Sequence, residues 1–277
     1  MKVNGVEICV DTLGSSQDPA ILLIAGAASA MDWWPDGFRE RLADAGRYVI
    51  RFDTRDTGQS ESYPPGKPGY TFNDLVADAV GVLDGLDVEH AQVVGVSMGG
   101  ALAQLIAARH PERVDSLVLI ATSPAAQIPG EELPGMSADL RAFFEGRPAP
   151  DYTDRDAMVE NTVAVMRQFE GARYFDEDAV RATAGHVFDR TRNMAASEQN
   201  HMSMADTEDA PLVLSDIVAP TLVLHGTDDP LFRLPHGEAL ARAIPHSSFL
   251  AVDGMGHQTP PAGTWDQVVP RMLALAG

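Results

Sequence analysis

A serine between two glycines, Ser97 in a Gly-x-Ser-x-Gly motif at residues 95–99, is the first candidate for chemistry in this sequence. A short apolar run at residues 91–96 precedes it and a helical pattern begins at Gly99. The serine is therefore predicted to lie on a tight turn between a strand and a helix, a nucleophile elbow. Such a turn exposes the hydroxyl at a backbone cost of about 1–3 kcal/mol. This context predicts that Ser97 is a nucleophile.

A serine nucleophile needs a base, and His257 is the candidate. It follows a glycine-rich stretch at residues 254–256, after the last predicted strand, where active sites form in parallel sheets. The carboxylate that orients the histidine is expected after the preceding strand. Asp228 and Asp229 both stand there, and we favour Asp229 because the proline after it favours a turn that projects the carboxylate. We interpret His225 as a packing residue at the strand end.

Backbone amides are the expected donors to the negative charge that forms on a substrate carbonyl oxygen. One is the amide of Met98, which opens the helix after the serine. The other is expected in the loop after the strand at residues 21–24, where small residues let a backbone approach closely. We assign this second oxyanion-hole donor to Ala27, with Gly26 and Ala28 as its neighbours.

The elements that must position these groups follow from apolar runs and helical periods. Four buried strands are predicted in the first half of the chain, at residues 21–24, 48–52, 91–96 and 116–120. Helical periods at residues 75–86, with Thr71 as a cap, and at residues 100–109 separate them. Strands that alternate with helices predict an α/β fold, a mostly parallel central sheet with helices on both faces. An Asn-Gly pair at residues 4–5 predicts an opening hairpin, with a half-buried strand at residues 6–10.

The pattern changes after residue 120 into helical, polar and methionine-rich sequence without a clear buried strand. Strand-like runs return only at residues 220–224 and 247–252, and a helix is expected at residues 264–275. An insertion between two parts of one sheet explains this order. The sequence therefore predicts a sheet domain interrupted by a helical cap.

The boundaries of this organisation are predicted from the same change of pattern. We expect residues 1–123 and 216–277 to form the α/β core domain and residues 124–215 to form the cap. The cap holds six methionines and several aromatic residues, most of which we expect to pack the cap itself. The alternative is an adaptable apolar substrate pocket beneath the cap.

Charge and cysteine content limit the classes of partner and compartment. Forty acidic and twenty basic residues give a formal charge of −20, which opposes binding to nucleic acid and to anionic membranes. The longest apolar run, residues 21–31, is too short to cross a bilayer. Cys9 is the only cysteine and residues 1–7 lack the apolar core of a signal peptide, so we expect a cytoplasmic protein. The expected partner is a small-molecule ester substrate, and the oligomeric state is not indicated.

The whole chain resembles the α/β-hydrolase superfamily with a helical cap, in the branch of small esterases and cofactor-free haloperoxidases. Four segments carry the resemblance: the oxyanion strand at residues 22–26, the elbow at residues 95–99, the acid loop at residues 226–230 and the base loop at residues 254–257. In the oxyanion strand, Ala25 replaces the histidine of the family. The chain order of nucleophile, acid and base, Ser97, Asp229 and His257, is that of the family.

Residues 51–60 are similar to a family loop that reads Asp-x-Arg-Gly-x-Gly-x-Ser, but Asp56 replaces the first glycine. Together with the missing oxyanion-strand histidine and the Trp-Pro pair at residues 34–35, this variant resembles the aclacinomycin methylesterase branch. Members of that branch remove a methyl ester from a polyketide aglycone. We interpret Asp53 and Arg55 as structural residues that hold this loop through a charge-assisted contact.

These observations predict a serine hydrolase that cleaves a carboxylic ester, a methyl ester included, of a small and largely apolar substrate through an acyl-enzyme. An alternative is a cofactor-free perhydrolase or haloperoxidase, or a carbon-carbon bond hydrolase, because both resemble this fold and use the same triad. A third is a non-catalytic small-molecule binder on the same scaffold. The sequence has no metal-ligand spacing and no Gly-x-Gly-x-x-Gly after a strand, so neither a metal nor a cofactor is expected.

Overall fold

The computed structural model describes residues 1–205 and 212–275, and these form strands, α-helices and short 3-10 helices. The strands are β1 (Lys2–Val3), β2 (Val6–Glu7), β3 (Val10–Leu13), β4 (Ala20–Ile24), β5 (Tyr48–Phe52), β6 (Ala91–Val96), β7 (Val114–Ile120), β8 (Thr221–Gly226) and β9 (Ser247–Val252). The α-helices are α1 (Asp36–Asp44), α2 (Phe72–Gly85), α3 (Met98–Arg109), α4 (Ala138–Phe144), α5 (Arg155–Phe169), α6 (Glu177–Arg190), α7 (Met194–Gln199), α8 (Pro235–Ala243) and α9 (Trp265–Leu273). Single 3-10 turns occupy Met31–Trp33, Pro111–Arg113, His201–Ser203, Leu214–Asp216 and Ala262–Thr264.

Strands β3 to β9 form one sheet in the spatial order β3-β5-β4-β6-β7-β8-β9. Among these described strands only β3, at the edge, is antiparallel to its neighbour. The register pairs Ile24 with Gly95 and Val96 with Ile120, so the central strands end at a common edge. Parallel neighbours need crossover connections, and helices supply them here. The predicted α/β class with a mostly parallel central sheet is confirmed.

Both faces of the sheet are covered because its buried strands present apolar side chains on both sides. Every residue of β4 is buried. Its Leu22 belongs to a core that includes Leu83 of α2 and Ile106 of α3. Its neighbour Leu23 belongs to a second core, which includes residues of α1 and α9. Burying one such side chain stabilises the fold by about 1.5–3 kcal/mol.

Most predicted elements agree with the structure to within two residues. The strands at residues 48–52, 91–96 and 247–252 have the predicted bounds, and β7 begins two residues earlier than expected. Thr71 caps α2 as predicted: its hydroxyl accepts from the Asp74 amide, and the Asp74 carboxylate accepts from the Thr71 amide at 2.9 Å. Reciprocal capping of this kind typically stabilises a helix start by about 1 kcal/mol.

The predicted strand at residues 6–10 is wrong in one respect. The opening hairpin exists, with Val3 opposite Val6, but Val6–Glu7 stays in that small sheet and a separate strand begins at Val10. The chain between them bonds to the loop after β5 instead: the Cys9 amide donates to the Ser60 hydroxyl at 2.9 Å. Alternating polarity cannot reveal such a change of partner, because both short strands keep the same period.

Helices α4 to α7 lie between β7 and β8 in the chain, and we call the described segment that contains them, residues 124–205, the cap. Helices α5 and α6 pack through a small apolar cluster that includes Val159, Val163 and Val180. The exact division into residues 1–123, 124–215 and 216–277 stays a prediction. The parts of that division at residues 206–211 and 276–277 lie outside the described residues.

Candidate active site

Ser97 lies on the sharp turn that joins β6 to α3, as the motif predicts. Its φ of 54° is in the left-handed region, which a residue with a side chain rarely adopts. The turn requires glycine on both sides. A Cβ atom on Gly99 would lie 2.3 Å from the Ile24 carbonyl oxygen, and one on Gly95 would lie 2.1 Å from the Gly99 carbonyl oxygen. Ser97 therefore has a strained backbone conformation, and the glycines at positions 95 and 99 avoid the clashes that side chains would make in this turn.

The structure brings Ser97, His257 and Asp229 together, although they lie far apart in the chain. His257 Nε2 is 2.9 Å from Ser97 Oγ, and His257 Nδ1 is 2.9 Å from Asp229 Oδ2. A carboxylate only accepts hydrogen bonds, so Nδ1 carries the proton and donates it. Nε2 is therefore free to accept the proton of the serine hydroxyl.

Of the two adjacent aspartates, Asp229 is the one whose carboxylate contacts His257. The Asp229 carboxylate is buried, and its Oδ1 accepts from the amides of Leu231 and Phe232, both at 2.9 Å. These bonds fix the carboxylate while Oδ2 faces the histidine. Asp228 is exposed, and its Oδ1 accepts from the hydroxyl of its neighbour Thr227.

The imidazole of His257 is held between the core and the cap. Its main-chain amide donates to the carbonyl oxygen of Phe169, the last residue of α5, at 2.7 Å. The rings of Phe169 and Phe232 lie 5.6 Å and 5.4 Å from the imidazole, measured between ring centroids. His225 lies buried at the end of β8, where its Nε2 contacts the Phe232 carbonyl oxygen at 2.5 Å, and burial lowers its pKa. Its place agrees with a packing role.

The loop after β4, with the predicted oxyanion donor Ala27, passes beside the serine. A Cβ atom on Gly26 would lie only 3.4 Å from the Cβ atom of Ser97. Ala27 and Met98 both line the cavity that contains Ser97. Ala28 takes a left-handed φ of 56°, and its amide donates at 3.0 Å to a residue that the sequence analysis missed, His201. The donor role of Ala27 and Met98 stays a proposal and is developed below.

A cavity of about 910 Å³ lies between the cap and the edge of the sheet, and Ser97 and His257 form part of its wall. Its lining is mainly apolar. Four of the six cap methionines line it: Met158, Met166, Met194 and Met202. The sequence pattern predicts that most of the cap methionines only pack the cap. Their position favours the alternative, because flexible thioether side chains make an apolar pocket adaptable.

Two acidic side chains, Glu170 and Glu198, also line this cavity, and sequence reasoning missed both. Neither carboxylate has a hydrogen bond or an ion pair to any residue that the structure describes. Burial raises the pKa of each to about 7, and Asp176 contributes to the rise at Glu170. No spacing in the sequence relates these residues to Ser97, so no pattern could have identified them.

The raised pKa of Glu198 predicts a stability that depends on pH. Between pH 4.5 and pH 7 the Glu198 carboxyl group is protonated in the folded protein and ionised in the unfolded chain. The stabilisation that this difference provides is fully present below pH 4.5 and is lost as pH rises through 7. Glu198→Gln removes the titration. As pH rises from 5 to 8, we expect the free energy of unfolding of the variant, measured with urea, to increase by about 1–2 kcal/mol relative to that of wild type. This range is smaller than the full pKa shift implies, because water in the cavity screens the charge. An equal difference at both pH values would contradict this.

Asp53 and Arg55 are structural, but each is paired with a different residue. The Asp53 carboxylate accepts from Arg190, the last residue of α6, at 2.7 Å and 3.0 Å. The Arg55 guanidinium donates to Asp78 of α2 at 2.7 Å and 2.8 Å. Arg190, which connects the cap to the loop after β5, is not predicted from any sequence pattern. Bidentate pairs of this kind hold both partners in a fixed geometry.

Within residues 1–205 and 212–275, no group of three or more histidine, cysteine or acidic side chains is placed to hold a metal ion. In the same ranges, no helix has the length and the apolar character needed to cross a membrane.

This chain is similar to known proteins over most of its length. A family model described as the alpha/beta hydrolase fold matches residues 19–260. Rhodomycin D methylesterase from Streptomyces peucetius is 32% identical over 280 residues, which cover 92% of this chain and 90% of that protein. The 2-hydroxymuconate semialdehyde hydrolase of Pseudomonas putida is 28% identical, with 86% and 80% covered. The crystal structure of an esterase from a Rhodococcus species has the same fold, with a TM-score of 0.77, 23% identity and 99% and 98% coverage.

Proposed function

This chain belongs to the α/β-hydrolase fold family, and from that premise we propose that Ser97, His257 and Asp229 are the catalytic triad of a carboxylic ester hydrolase. One observation carries the proposal: the two contacts of 2.9 Å that join the hydroxyl, the imidazole and the carboxylate at the edge of the sheet. Such a set activates a weak nucleophile without a metal or cofactor.

The reaction proceeds in two halves that use the same histidine. In the first, His257 Nε2 takes the hydroxyl proton while Ser97 Oγ attacks the ester carbonyl carbon, and His257 then gives that proton to the leaving alcohol. An acyl-enzyme remains. In the second half, His257 takes a proton from water, the resulting hydroxide attacks the acyl carbon, and the carboxylic acid leaves as Ser97 regains its proton. Asp229 stabilises the imidazolium ion in both halves.

The amides of Ala27 and Met98 form the proposed oxyanion hole. Each tetrahedral intermediate carries a negative charge on the former carbonyl oxygen, and fixed donors are worth about 2.7–4 kcal/mol each to its formation. Met98 supports this role because its amide is at the start of α3, where no helical acceptor is available. The close approach of Gly26 to Ser97 supports a donor role for the adjacent residue Ala27.

The proposed substrate is a methyl ester of a small, largely apolar molecule. The size and the apolar lining of the cavity support this class, and the name of the Streptomyces peucetius relative supports the methyl ester. A methyl group needs little room at the leaving side of Ser97, so most of the cavity is available for the acyl part. We also propose a cytoplasmic location, which the single cysteine supports.

Carbon-carbon bond hydrolysis is the second candidate, because the Pseudomonas putida relative is named as a semialdehyde hydrolase. A substrate panel separates the candidates. We would compare kcat/KM for the methyl ester of a polycyclic aromatic acid, a p-nitrophenyl ester and a vinylogous diketone, and assay perhydrolysis with acetate and hydrogen peroxide. We expect the two esters to be hydrolysed with the higher kcat/KM. Preference for the diketone, or for the peroxide reaction, would replace the esterase assignment.

A further inference from the structure

His201, at the end of the cap, makes two hydrogen bonds to the core that define its chemical state. Its Nδ1 contacts the amide nitrogen of Ala28 at 3.0 Å, and its Nε2 contacts the carbonyl oxygen of Arg55 at 2.9 Å. An amide nitrogen only donates and a carbonyl oxygen only accepts, so Nδ1 is the acceptor and Nε2 carries the proton. The imidazole is therefore neutral. Its burial, with 5% of the residue exposed, lowers its pKa and favours that state.

The Ala28 amide belongs to the turn that presents Ala27 to the active site. The turn is closed by a hydrogen bond from the Ser29 amide to the Gly26 carbonyl oxygen at 3.3 Å. The Ser29 hydroxyl donates to the Ala27 carbonyl oxygen at 3.1 Å. The peptide unit between Ala27 and Ala28 is therefore held at both polar groups: its carbonyl oxygen accepts from Ser29 and its amide donates to His201. These bonds matter because Ala28 has a left-handed φ, a strained conformation that persists where surrounding contacts fix the backbone.

The residue before His201 is held by Asp56, the residue that departs from the family pattern in the loop after β5. Asp56 Oδ2 accepts from the side-chain amide of Asn200, the neighbour of His201, at 2.8 Å. The same carboxylate accepts from the Tyr70 hydroxyl at 2.7 Å and from the Tyr63 amide at 2.6 Å. The ring of Tyr70 lies edge-on to the imidazole, 6.2 Å away between centroids. The unusual aspartate thus fixes the segment that carries His201.

We propose that His201 is a positioning residue for the oxyanion hole: it holds the Ala28 amide so that the preceding amide, that of Ala27, faces the carbonyl oxygen of the ester. This inference rests on the proposed function, since it assigns Ala27 a role in the same reaction. His201 does not exchange protons with the substrate. It sets the geometry of a donor that acts mainly when charge develops in the transition state.

The expected kinetic signature is a loss in kcat with little change in KM. A displacement of about 1 Å in a group that stabilises the transition state lowers the rate by about 100-fold. We therefore expect variants that lose the acceptor for Ala28 to lose about 10- to 100-fold in kcat, with KM within about twofold of wild type. A residue that only stabilised the fold would instead lower the unfolding midpoint and leave the kcat of the folded enzyme unchanged.

Two amide variants provide a matched test. In His201→Asn the side-chain oxygen can take the place of Nδ1 and accept from Ala28, whereas in His201→Gln the amide reaches the position of Nε2 and bonds to Arg55. Both remove the ring. We expect the asparagine variant to retain kcat within about fivefold and the glutamine variant to show the 10- to 100-fold loss. Equal kcat in the two variants, at any level, would overturn the proposal.

Diethyl p-nitrophenyl phosphate separates a failure of this inference from a failure of the proposed function. The reagent forms a bond from Ser97 Oγ to phosphorus and releases p-nitrophenolate, while the serine proton passes to His257. The released amount counts folded active sites, so partial unfolding of a variant cannot imitate a lower kcat. If wild type gives no adduct at Ser97, the triad proposal fails. If wild type reacts and the glutamine variant reacts at the same rate, the triad stands and the role of His201 is refuted.

Discussion

Alanine at position 97 is expected to lower kcat for ester hydrolysis by about 10⁶-fold, the scale of loss when the nucleophile of such a triad is removed. The variant loses the only atom that forms the acyl-enzyme. The fold is expected to remain. Alanine removes the side-chain contact with His257, but the main-chain amide at position 97 keeps its bond to the Ile120 carbonyl oxygen. Removing one half-buried hydroxyl group from a strained turn leaves those backbone contacts in place.

The measurement for this variant is kcat with the p-nitrophenyl ester, together with circular dichroism and the unfolding midpoint. Ser203→Ala is the matched control, since Ser203 is exposed and its hydroxyl donates to the Gln199 carbonyl oxygen, away from the triad. We expect that control to keep wild-type kcat. Turnover by the Ser97 variant at more than about 1% of wild type would show that another group is the nucleophile.

Asn in place of Asp229 is expected to lower kcat by about 10⁴-fold. The oxygen and nitrogen of an amide have almost the shape of a carboxylate, so the contacts with Leu231 and Phe232 can persist. The amide does not stabilise a positive charge on His257, however. If its NH₂ group faces Nδ1, the imidazole must take the tautomer whose Nε2 carries a proton, and that nitrogen can no longer accept from Ser97.

Asp228→Asn is the control that makes this second experiment decisive. The two aspartates are adjacent in the chain, but Asp228 is exposed and lies outside the set of contacts to His257. We expect its kcat to stay within about twofold of wild type. A larger loss in the Asp228 variant than in the Asp229 variant would reverse the assignment of the acid. Both variants are measured at saturating ester, so that the comparison reports kcat.

The sheet could be predicted from the sequence because its strands are buried on both faces. A run such as Ala91–Val96 has six consecutive buried residues, and such runs differ strongly from the helical periods between them. The bounds and partners of the short strands at residues 6–13 are harder to predict. Their alternation is continuous, but Cys9 between them bonds to Ser60, fifty-one positions away, and no local pattern records so distant a partner.

The three residues of the proposed triad were identifiable because each follows the end of a strand in a parallel sheet, and such ends share one edge. His201, Glu198 and Arg190 were not. They belong to the inserted helical region, whose placement over the sheet depends on packing between α5, α6 and the core. Helical periodicity fixes which residues share a face of one helix, but not which part of the core that face meets.

The bond from the His257 amide to the Phe169 carbonyl oxygen limits how molecules can reach Ser97. If the end of α5 moved away from the core as a rigid body, this bond would have to break or the backbone of His257 would have to move with it. We therefore expect an ester to enter and its acid to leave through local rearrangement of flexible side chains at the rim, because a large hinge motion there would displace His257 from Ser97.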